Sequence, residues 1–334
     1  MNNIFSDALG QLLADRCTPD VVRQLEQHPK PDHALWADLQ TSGFVDALVP
    51  EAQGGAGLTL ADAYPLLELC GQHALPFPFA ETLWGRALLA KAGLTLPEGA
   101  LVFADAQSDG QDLRTRGVRG AKLASAALVV FDGQVRLMPT ADHARPDVFP
   151  LDAALGWSLS DWEQAPALPG ITELRTPLAA MYAALTAGAL LHVFKRTLQF
   201  ANERQQFGKP IGKFQAIQHQ LSVMSEHVFA ARMAAQMAFS GHAFDALRTA
   251  IAKARTSEAA LEVAGLSHSI HGAIGFTAEY DLQLYTRRLH LWRQTAGAES
   301  YWHDQVGQAA LTQPGLALDL IRQATDNLHF ESTP

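Results

Sequence analysis

The longest regular pattern of apolar positions begins near residue 176 and continues almost to the end of the chain. Thr176-Pro177 joins a good N-cap residue to proline at the first helical position, which marks a helix start. From there, apolar residues recur every three or four positions, the spacing of amphipathic helices that bury one face. This pattern predicts helices over residues 176–201, 214–228, 247–261 and 279–310. Four long helices with short joints indicate a four-helix bundle, to which we assign residues 173–334.

Residues 1–97 show shorter helical patterns that polar residues, glycine and proline interrupt. The three glycines between Gly54 and Gly57 demand a loop, because that much backbone freedom is costly inside a helix. Thr59, three residues before Asp62, then gives the capping-box pattern of a helix start. We therefore expect a helical N-terminal domain that contains a glycine-rich loop.

Residues 98–172 have a different pattern, made of short apolar or β-branched runs with prolines near the far end. The runs at 127–131 and 134–137 are typical of strands, and Asp132-Gly133 between them is a strong hairpin signal. The predicted fold is therefore mainly α, with a small, shortened β domain between the N-terminal helical domain and the C-terminal bundle.

Composition and charge narrow the class of protein. Hydrophobic residues make up 48% of the chain and charged residues 18%, as in ordinary globular proteins, and the net charge of -9 argues against nucleic acid as the main ligand. Cys17 and Cys70 cannot build a disulfide framework, so we expect a cytoplasmic protein. The N-terminus has no signal-peptide pattern, and the longest apolar run, 183–194, is too short to cross a bilayer. Because no stretch is predicted to cross a bilayer, we expect no membrane association. The histidines show no metal-ligand spacing, so we expect no metal.

The most informative motif lies where the first bundle helix ends and the second begins. Residues 204–219 read R-Q-Q-F-G-K-P-I-G-K-F-Q-A-I-Q-H. On composition alone, this is a joint between two helices in which Arg204 is a surface charge. The string resembles, almost residue for residue, the R-x-x-F-G-K-P-I-x-x-F-Q-A-I-Q-H signature of acyl-CoA dehydrogenases. A match of this length rarely arises by chance.

Three further strings resemble the same family. Residues 270–280 (I-H-G-A-I-G-F-T-A-E-Y) resemble its glycine-rich turn, although they also fit an ordinary helix C-cap. Residues 49–57 resemble its V-P-E-x-x-G-G-x-G loop, and residues 120–122 resemble its G-x-K segment. The resemblance covers most of the chain and is densest between residues 176 and 290.

The resemblance implies an FAD-dependent oxidoreductase that dehydrogenates the α,β carbon–carbon bond of an acyl-CoA thioester. Such reactions belong to fatty-acid β-oxidation and to the degradation of steroid side chains. It also implies an electron-transfer flavoprotein as a partner, and assembly either with a homologous subunit in a heterotetramer or with further copies of this chain.

The same resemblance implies cofactor-binding roles in the two bundle motifs. In the family, the arginine and its neighbours reach across a subunit interface to the pyrophosphate of a neighbour's flavin. A guanidinium presents paired donors that match phosphate oxygens, and a glycine-rich turn lets backbone N–H groups approach the same dinucleotide. Carried over by position, the cofactor-binding residues are Arg204, Gln206, Phe207, Phe214, Gln215, Ser269, His271, Gly272 and Ala273.

The chain departs from the family at the catalytic base. Many members carry a glutamate in a Y-E-G-T string, whereas the aligned residues 296–298 here are Ala-Gly-Ala. The family's other base position, near residues 178–180, holds no acid either. Because alanine cannot abstract a proton, Glu299 is either a relocated base or a glutamate on a helix surface. The catalytic residues stay unassigned.

The middle domain also lacks the family's T-E-P-x-x-G-S-D string, which holds the flavin ring, and residues 107–110 (Q-S-D-G) repeat only part of it. A chain that keeps the contacts across the interface but loses its own ring pocket and base resembles the smaller subunit of heterotetrameric acyl-CoA dehydrogenases. Three hypotheses stay open: a subunit that completes a partner's FAD site, a self-sufficient homo-oligomeric dehydrogenase with a displaced base, and a catalytically silent scaffold.

Overall fold

Helices dominate the structure, a computed structural model that describes residues 2–325. Residue 1 and residues 326–334, at the outer ends of the first and third predicted domains, lie outside the described residues. A small β-sheet separates two helical regions along the chain. The predicted fold class, mainly α with a small β region, is confirmed.

The N-terminal region consists of helices that glycine and proline separate. The helices are α1 (Asn2–Arg16), α2 (Pro19–Gln27), α3 (Ala34–Thr41), α4 (Leu60–Gln72) and α5 (Phe79–Lys91). The capping box expected at the start of α4 forms, since Thr59 N donates to Asp62 Oδ2 at 2.9 Å.

A six-stranded sheet follows, with one further short helix. Its elements are β1 (Ala100–Ser108), β2 (Asp112–Thr115), β3 (Ala124–Phe131), β4 (Gln134–Pro139), β5 (Ala144–Pro146), β6 (Ala153–Ser158) and α6 (Leu159–Gln164). The strand order is β4-β3-β1-β2-β6-β5; β1 and β3 run parallel, and the other neighbours pair antiparallel. Asp132 and Gly133, with φ of 48° and 67°, make the predicted turn between β3 and β4.

The described part of the C-terminal region contains six further helices and a two-stranded hairpin. The elements are α7 (Arg175–Glu203), β7 (Gln205–Gln206), β8 (Lys209–Pro210), α8 (Gln215–Ala238), α9 (Ala246–His271), α10 (Leu282–Trp292), α11 (Glu299–Thr312) and the short α12 (Ala317–Thr325). Helix α9 packs along α8, α10 and α11 and is central to this region.

The described residues fall into two compact units. The first comprises the residues up to Ala63 together with Leu75–Leu178, and the second comprises Tyr64–Ala74 together with the residues from Ala179 onward. The predicted boundaries at residues 97 and 172 fall between α5 and β1 and between α6 and α7. The division into three domains stays a prediction.

Two glycines in the second unit let α4 and α7 cross at backbone contact. A Cβ atom on Gly188 would overlap the Glu68 carbonyl oxygen, and a Cβ atom on Gly71 would overlap the Leu185 carbonyl oxygen. Any larger residue at either position would therefore push the two helices apart.

The prediction of a single fourth helix over residues 279–310 is wrong. The chain forms α10 and α11 instead, and between them Ala296 and Gly297 have φ of 60° and 112°. A residue with positive φ cannot continue a right-handed helix, although the spacing of apolar residues over 279–310 fits one.

A buried lysine holds this break. Lys253 of α9 is 1% exposed, and its ammonium group donates to the carbonyl oxygens of Trp292 at 3.1 Å and Arg293 at 2.8 Å and to Ser257 Oγ at 2.9 Å. These bonds satisfy carbonyl groups that the end of α10 leaves without helical partners. Burial lowers the pKa of Lys253 to about 7, although the Glu299 carboxylate raises it.

Within residues 2–325, one helix is long and apolar enough to cross a membrane, and it is α7. In its most apolar stretch, 72% of the residues are buried inside the protein, as in a core helix. The expectation that no stretch approaches membrane-spanning length therefore needs correction. A polar residue such as His192 ends an unbroken apolar run, but it lowers the mean hydropathy of the helix only slightly.

Candidate cofactor-binding cleft

The arginine motif folds as a tight hairpin at the end of α7. Strands β7 and β8 pair antiparallel, so that Phe207 and Gly208 form a two-residue turn with φ of 53° and 80°. Positive φ at both central positions is the requirement of a type I′ turn, for which Asn-Gly or Asp-Gly is the usual sequence. Phenylalanine at the first position is therefore strained, and its side chain is 90% exposed.

Arg204 is fixed at the base of this hairpin through its backbone. Its N–H donates to the Phe200 carbonyl oxygen at 2.8 Å, and its own carbonyl oxygen accepts from Ile211 N at 2.8 Å. The side chain of Arg204 is exposed, and within residues 2–325 no ion pair engages it. The guanidinium is thus available to an external anion.

The glycine motif ends α9 and turns the chain sharply. Gly272 has φ of 64° and ψ of -146°, a combination that essentially only glycine adopts, and its N–H caps the helix by donating to the His268 carbonyl oxygen. A 3-10 turn over Gly272–Phe276 follows. Gly275 packs closely in this turn, where a Cβ atom would lie 3.0 Å from the Cβ of His271.

The two motifs, about 60 residues apart in the chain, meet in one cleft of the second unit with a volume of about 590 Å³. Eight of the nine predicted cofactor-binding residues line it, namely Arg204, Gln206, Phe207, Phe214, Ser269, His271, Gly272 and Ala273. The ninth, Gln215, is exposed at the start of α8 and does not line the cleft. Whether these residues bind a cofactor stays a prediction.

The sequence patterns missed the apolar wall of the cleft. Phe200, Ile211, Ile217, Ile270 and Ile274 also line it. All five are apolar, so the helical pattern assigns them to packing, and only their position around the cleft distinguishes them. The cleft thus combines an apolar wall with polar donors.

Arg204 is the charged side chain among the described residues that line the cleft. Lys209 and Lys213 are exposed beside Arg204, and the Lys209 ammonium nitrogen lies 4.3 Å from the centre of the Phe214 ring. The Arg204 guanidinium, the lysine ammonium groups, the Gln206 amide and the Ser269 hydroxyl are all donors. Such a donor set suits phosphate oxygens.

His271 lies at the back of the cleft and is 5% exposed. Its ring stacks on Phe200 at 4.3 Å between centroids, and its Nδ1 lies 2.8 Å from the Ser267 carbonyl oxygen. Burial lowers the pKa of His271 below its ordinary value of 6.5. The imidazole is therefore neutral at neutral pH.

The two positions where the family carries its base meet in an apolar cluster of the second unit. Ala179, Ala250, Ala254 and Trp302 form this cluster, and Ala296 packs against it. Each residue of the cluster has an apolar side chain. Neither family position therefore presents a carboxylate here.

Glu299 is held away from a general-base role by an ion pair. Its carboxylate accepts from both Nε and an Nη atom of Arg293, and this bonding lowers the pKa of Glu299. A carboxylate with two guanidinium bonds and a lowered pKa is a weak proton acceptor.

Residues 107–110, which match part of the family's flavin-ring string, lie in the first unit, at the end of β1 and in the turn before β2. Asp109 accepts from Arg114 Nε at 2.8 Å, and Ser108 Oγ donates to the Gly110 carbonyl oxygen at 3.3 Å. These groups stabilise the turn itself.

Comparison with known proteins gives three matches that bear on identity. Residues 172–311 match the family model of the acyl-CoA dehydrogenase C-terminal domain. The acyl-CoA dehydrogenase IpdE2 of Mycolicibacterium smegmatis is 28% identical over 318 residues, which cover 88% of this chain and 94% of that protein. The acyl-CoA dehydrogenase FadE34 of Mycobacterium tuberculosis is 28% identical over 87% of this chain but only 44% of its own length.

The fold has a close counterpart among solved structures. A chain of the ChsE4-ChsE5 complex of Mycobacterium tuberculosis superposes with a TM-score of 0.81 at 20% identity, covering 94% of this chain and 98% of that chain. The match of the bundle and the alignment with IpdE2 along most of both chains agree with this shared fold. The chain is a member of the acyl-CoA dehydrogenase family.

Proposed function

We propose that this chain is an acyl-CoA dehydrogenase subunit that completes the FAD site of a homologous partner. The assembly would remove two hydrogens from adjacent carbons of an acyl-CoA thioester. One observation carries the proposal: the donors of the Arg204 hairpin and the Gly272 turn converge in one cleft, while the cluster at Ala296 holds no acid. In this proposal the chain supplies phosphate contacts, while the two positions where the family carries its base, near Ala179 and at Ala296, hold no acid.

The residues of the cleft fit the diphosphate of FAD. Arg204 offers paired N–H donors, and the glycine conformation of Gly272 leaves the backbone open, since no atom lies within 4 Å of where its Cβ would be. Ser269 and Gln206 add a hydroxyl and an amide. When bound, FAD supplies the hydride acceptor for the reaction, and the role of this chain is to hold its phosphates.

The exposed hairpin supports assembly with a second subunit. Phe207 combines backbone strain with a side chain that is 90% exposed, and each feature is unfavourable in the free chain. Both become understandable when Phe207 packs against a partner. Phe276, 70% exposed on the glycine turn, adds a second large apolar side chain beside the same cleft.

Two relatives are consistent with a paired arrangement. FadE34 matches this chain over less than half of its own length, so a segment like this one is joined there to further sequence of similar size. The ChsE4-ChsE5 structure is a complex of two named proteins. By the same resemblance, the partner proposed here is a homologous subunit, the electron acceptor is an electron-transfer flavoprotein, and the compartment is the cytoplasm.

The test is purification of the chain from its native cell with and without its partner. The chain alone should not reduce an artificial electron acceptor with any acyl-CoA, whereas the co-purified complex should. Robust turnover by the isolated chain would favour the self-sufficient enzyme and restore Glu299 as a candidate base. Absence of flavin and of turnover from every complex would favour the scaffold.

Flavin stoichiometry gives an independent test. In the proposal, each flavin site needs a pocket for the flavin ring from one chain and phosphate contacts from the neighbouring chain. This chain supplies only the phosphate contacts. A tetramer with two chains of each kind should hold two flavins. Flavin absorbance per protein mass, with the mass taken from light scattering, measures this ratio, and one flavin per chain would contradict the proposal.

A further inference from the structure

His271 links the end of α9 to α7 directly before the glycine turn. Its ring stacks on Phe200 of α7, and its Nδ1 bonds the Ser267 carbonyl oxygen within α9. Gly272 follows it immediately, lines the cleft, and caps α9 by donating its N–H to the His268 carbonyl oxygen. The imidazole therefore connects α7 to the end of α9 next to this turn.

The hydrogen bond defines the tautomer of the ring. A carbonyl oxygen can only accept, so Nδ1 of His271 must carry the proton in its bond to Ser267. In the neutral ring, Nε2 is then a bare acceptor. Nε2 is buried and has no hydrogen-bond partner among the described residues.

Protonation would make this arrangement unfavourable. An imidazolium carries an N–H on both nitrogens, and the new Nε2–H would find neither an acceptor nor water. A ligand in the cleft could not accept from it either, because Nε2 has no accessible surface. The cost therefore remains when a diphosphate is bound.

The charges around the ring act in the same direction. Arg196 of α7 places its guanidinium 5.0 Å from the centre of the Tyr280 ring, which lies 5.3 Å from the His271 ring. After burial, the largest cause, Arg196 and His268 of α9 lower the pKa of His271, and only the bond to the Ser267 carbonyl raises it.

Acidic groups do not offset these cations. The carboxylates of Glu203 and Asp281 raise the pKa of Tyr280, but neither contributes to the pKa shift of His271.

We propose that His271 is a positioning residue that holds the glycine turn of the cleft as a neutral imidazole, and that acid opens this turn and releases the dinucleotide. This inference rests on the proposed function for the identity of the ligand. The opening of the turn does not, because it is a property of this chain alone.

The first test uses the full chain without cofactor. Hydrogen exchange of the peptide covering residues 268–276, corrected for intrinsic rates, should show protection at pH 8 that is lost as the pH falls below 6.5. His271→Phe keeps a ring on Phe200 but cannot be protonated, so it should lose less protection in acid than wild type, and only the titration of His268 should remain in this peptide. His192→Phe is the matched control, since His192 stacks on Tyr285 at 3.8 Å outside the cleft, and it should keep the wild-type acid response.

The second test uses the co-purified complex and the fluorescence of released flavin. Retention should weaken by up to about tenfold for each pH unit below the pKa of His271 in wild type and in His192→Phe, and less steeply in His271→Phe, where only His268 still titrates at the turn. Absence of flavin at pH 8 would count against the proposed function, not against the turn. Flavin that is bound at pH 8 and held equally or more tightly in acid would overturn the role of His271.

A third measurement covers the case in which His271→Phe fails to fold. The nitrogen chemical shifts of the wild-type histidines report the tautomer directly, and His271 should carry its proton on Nδ1 at pH 8. A proton on Nε2, or a charged ring at that pH, would overturn the inference.

Discussion

Replacement of Phe207 by asparagine should stabilise the free chain and weaken its assembly. Phe207 has φ of 53° at the first central position of the β7–β8 turn. Asn-Gly is the favoured sequence of this turn type, so Phe207→Asn would give the hairpin the residue pair that its backbone demands. Phe207→Asn should therefore raise the free energy of unfolding of the free chain, because it relieves backbone strain. It should lower the affinity for the partner, because it removes an exposed apolar side chain.

The magnitudes follow from the geometry. A left-handed conformation costs an ordinary L-residue about 1–2 kcal/mol, and asparagine tolerates it better, so relief should be about 1 kcal/mol. Little is lost in exchange, because the side chain is 90% exposed and its main ring contact is an edge-to-face approach to Phe214 at 6.2 Å. Full burial of a phenylalanine against a partner is worth about 1.5–3 kcal/mol, or roughly a ten- to hundredfold change in affinity.

Urea unfolding of the free chain and sedimentation of the complex measure the two effects. A matched control exists in the β3–β4 turn, where Asp132 has φ of 48° before Gly133 and is exposed. Asp132→Phe should destabilise the free chain by about 1 kcal/mol and leave assembly unchanged. A less stable Phe207→Asn chain would refute the strain argument. Unchanged assembly would refute the contact of Phe207 with a partner.

Three further perturbations test other parts of the structure. Arg204→Ala should weaken flavin retention in the complex by about ten- to a hundredfold with unchanged helical circular dichroism, since a charge-assisted bond is worth about 1.5–3 kcal/mol; equal retention would remove Arg204 from the site. Gly188→Ala should lower the free energy of unfolding by about 1–3 kcal/mol in urea, because the added Cβ would overlap the Glu68 carbonyl, whereas Gly265→Ala, with open space around its Cβ, should raise it by up to about 1 kcal/mol. The free energy of unfolding should also rise between pH 7 and pH 9, because folded Lys253 has a pKa of about 7 and the unfolded lysine keeps its proton up to about 10.5; Lys253→Met should abolish the rise.

The sequence alone determined the features that depend on neighbouring residues. The helical spacing of apolar positions, the Asp132-Gly133 turn and the capping box at Thr59 are local patterns, and each appears in the structure. The strings around Arg204 and Gly272 also identified the family, because a long string of specific residues carries its meaning without coordinates.

Backbone conformation was already harder to read from the sequence. The spacing of apolar residues over 279–310 fits one helix, yet Ala296 and Gly297 adopt positive φ and break it. Gly297 is a local signal for a helix end, but a single glycine is tolerated inside helices and alanine has a high helix propensity, so the local sequence does not decide the break. The bonds of buried Lys253 to the end of α10 come from another helix and decide it.

Only the tertiary structure decided which groups meet and in what state. The packing of the bundle brings two motifs about 60 residues apart into one cleft, leaves Gln215 outside it, and joins Ala179 and Ala296 in one apolar cluster. It also buries His271 against Phe200 and so lowers its pKa. Distances between segments and the desolvation of a side chain arise from the burial summed over many helices, and no short stretch of sequence contains that sum.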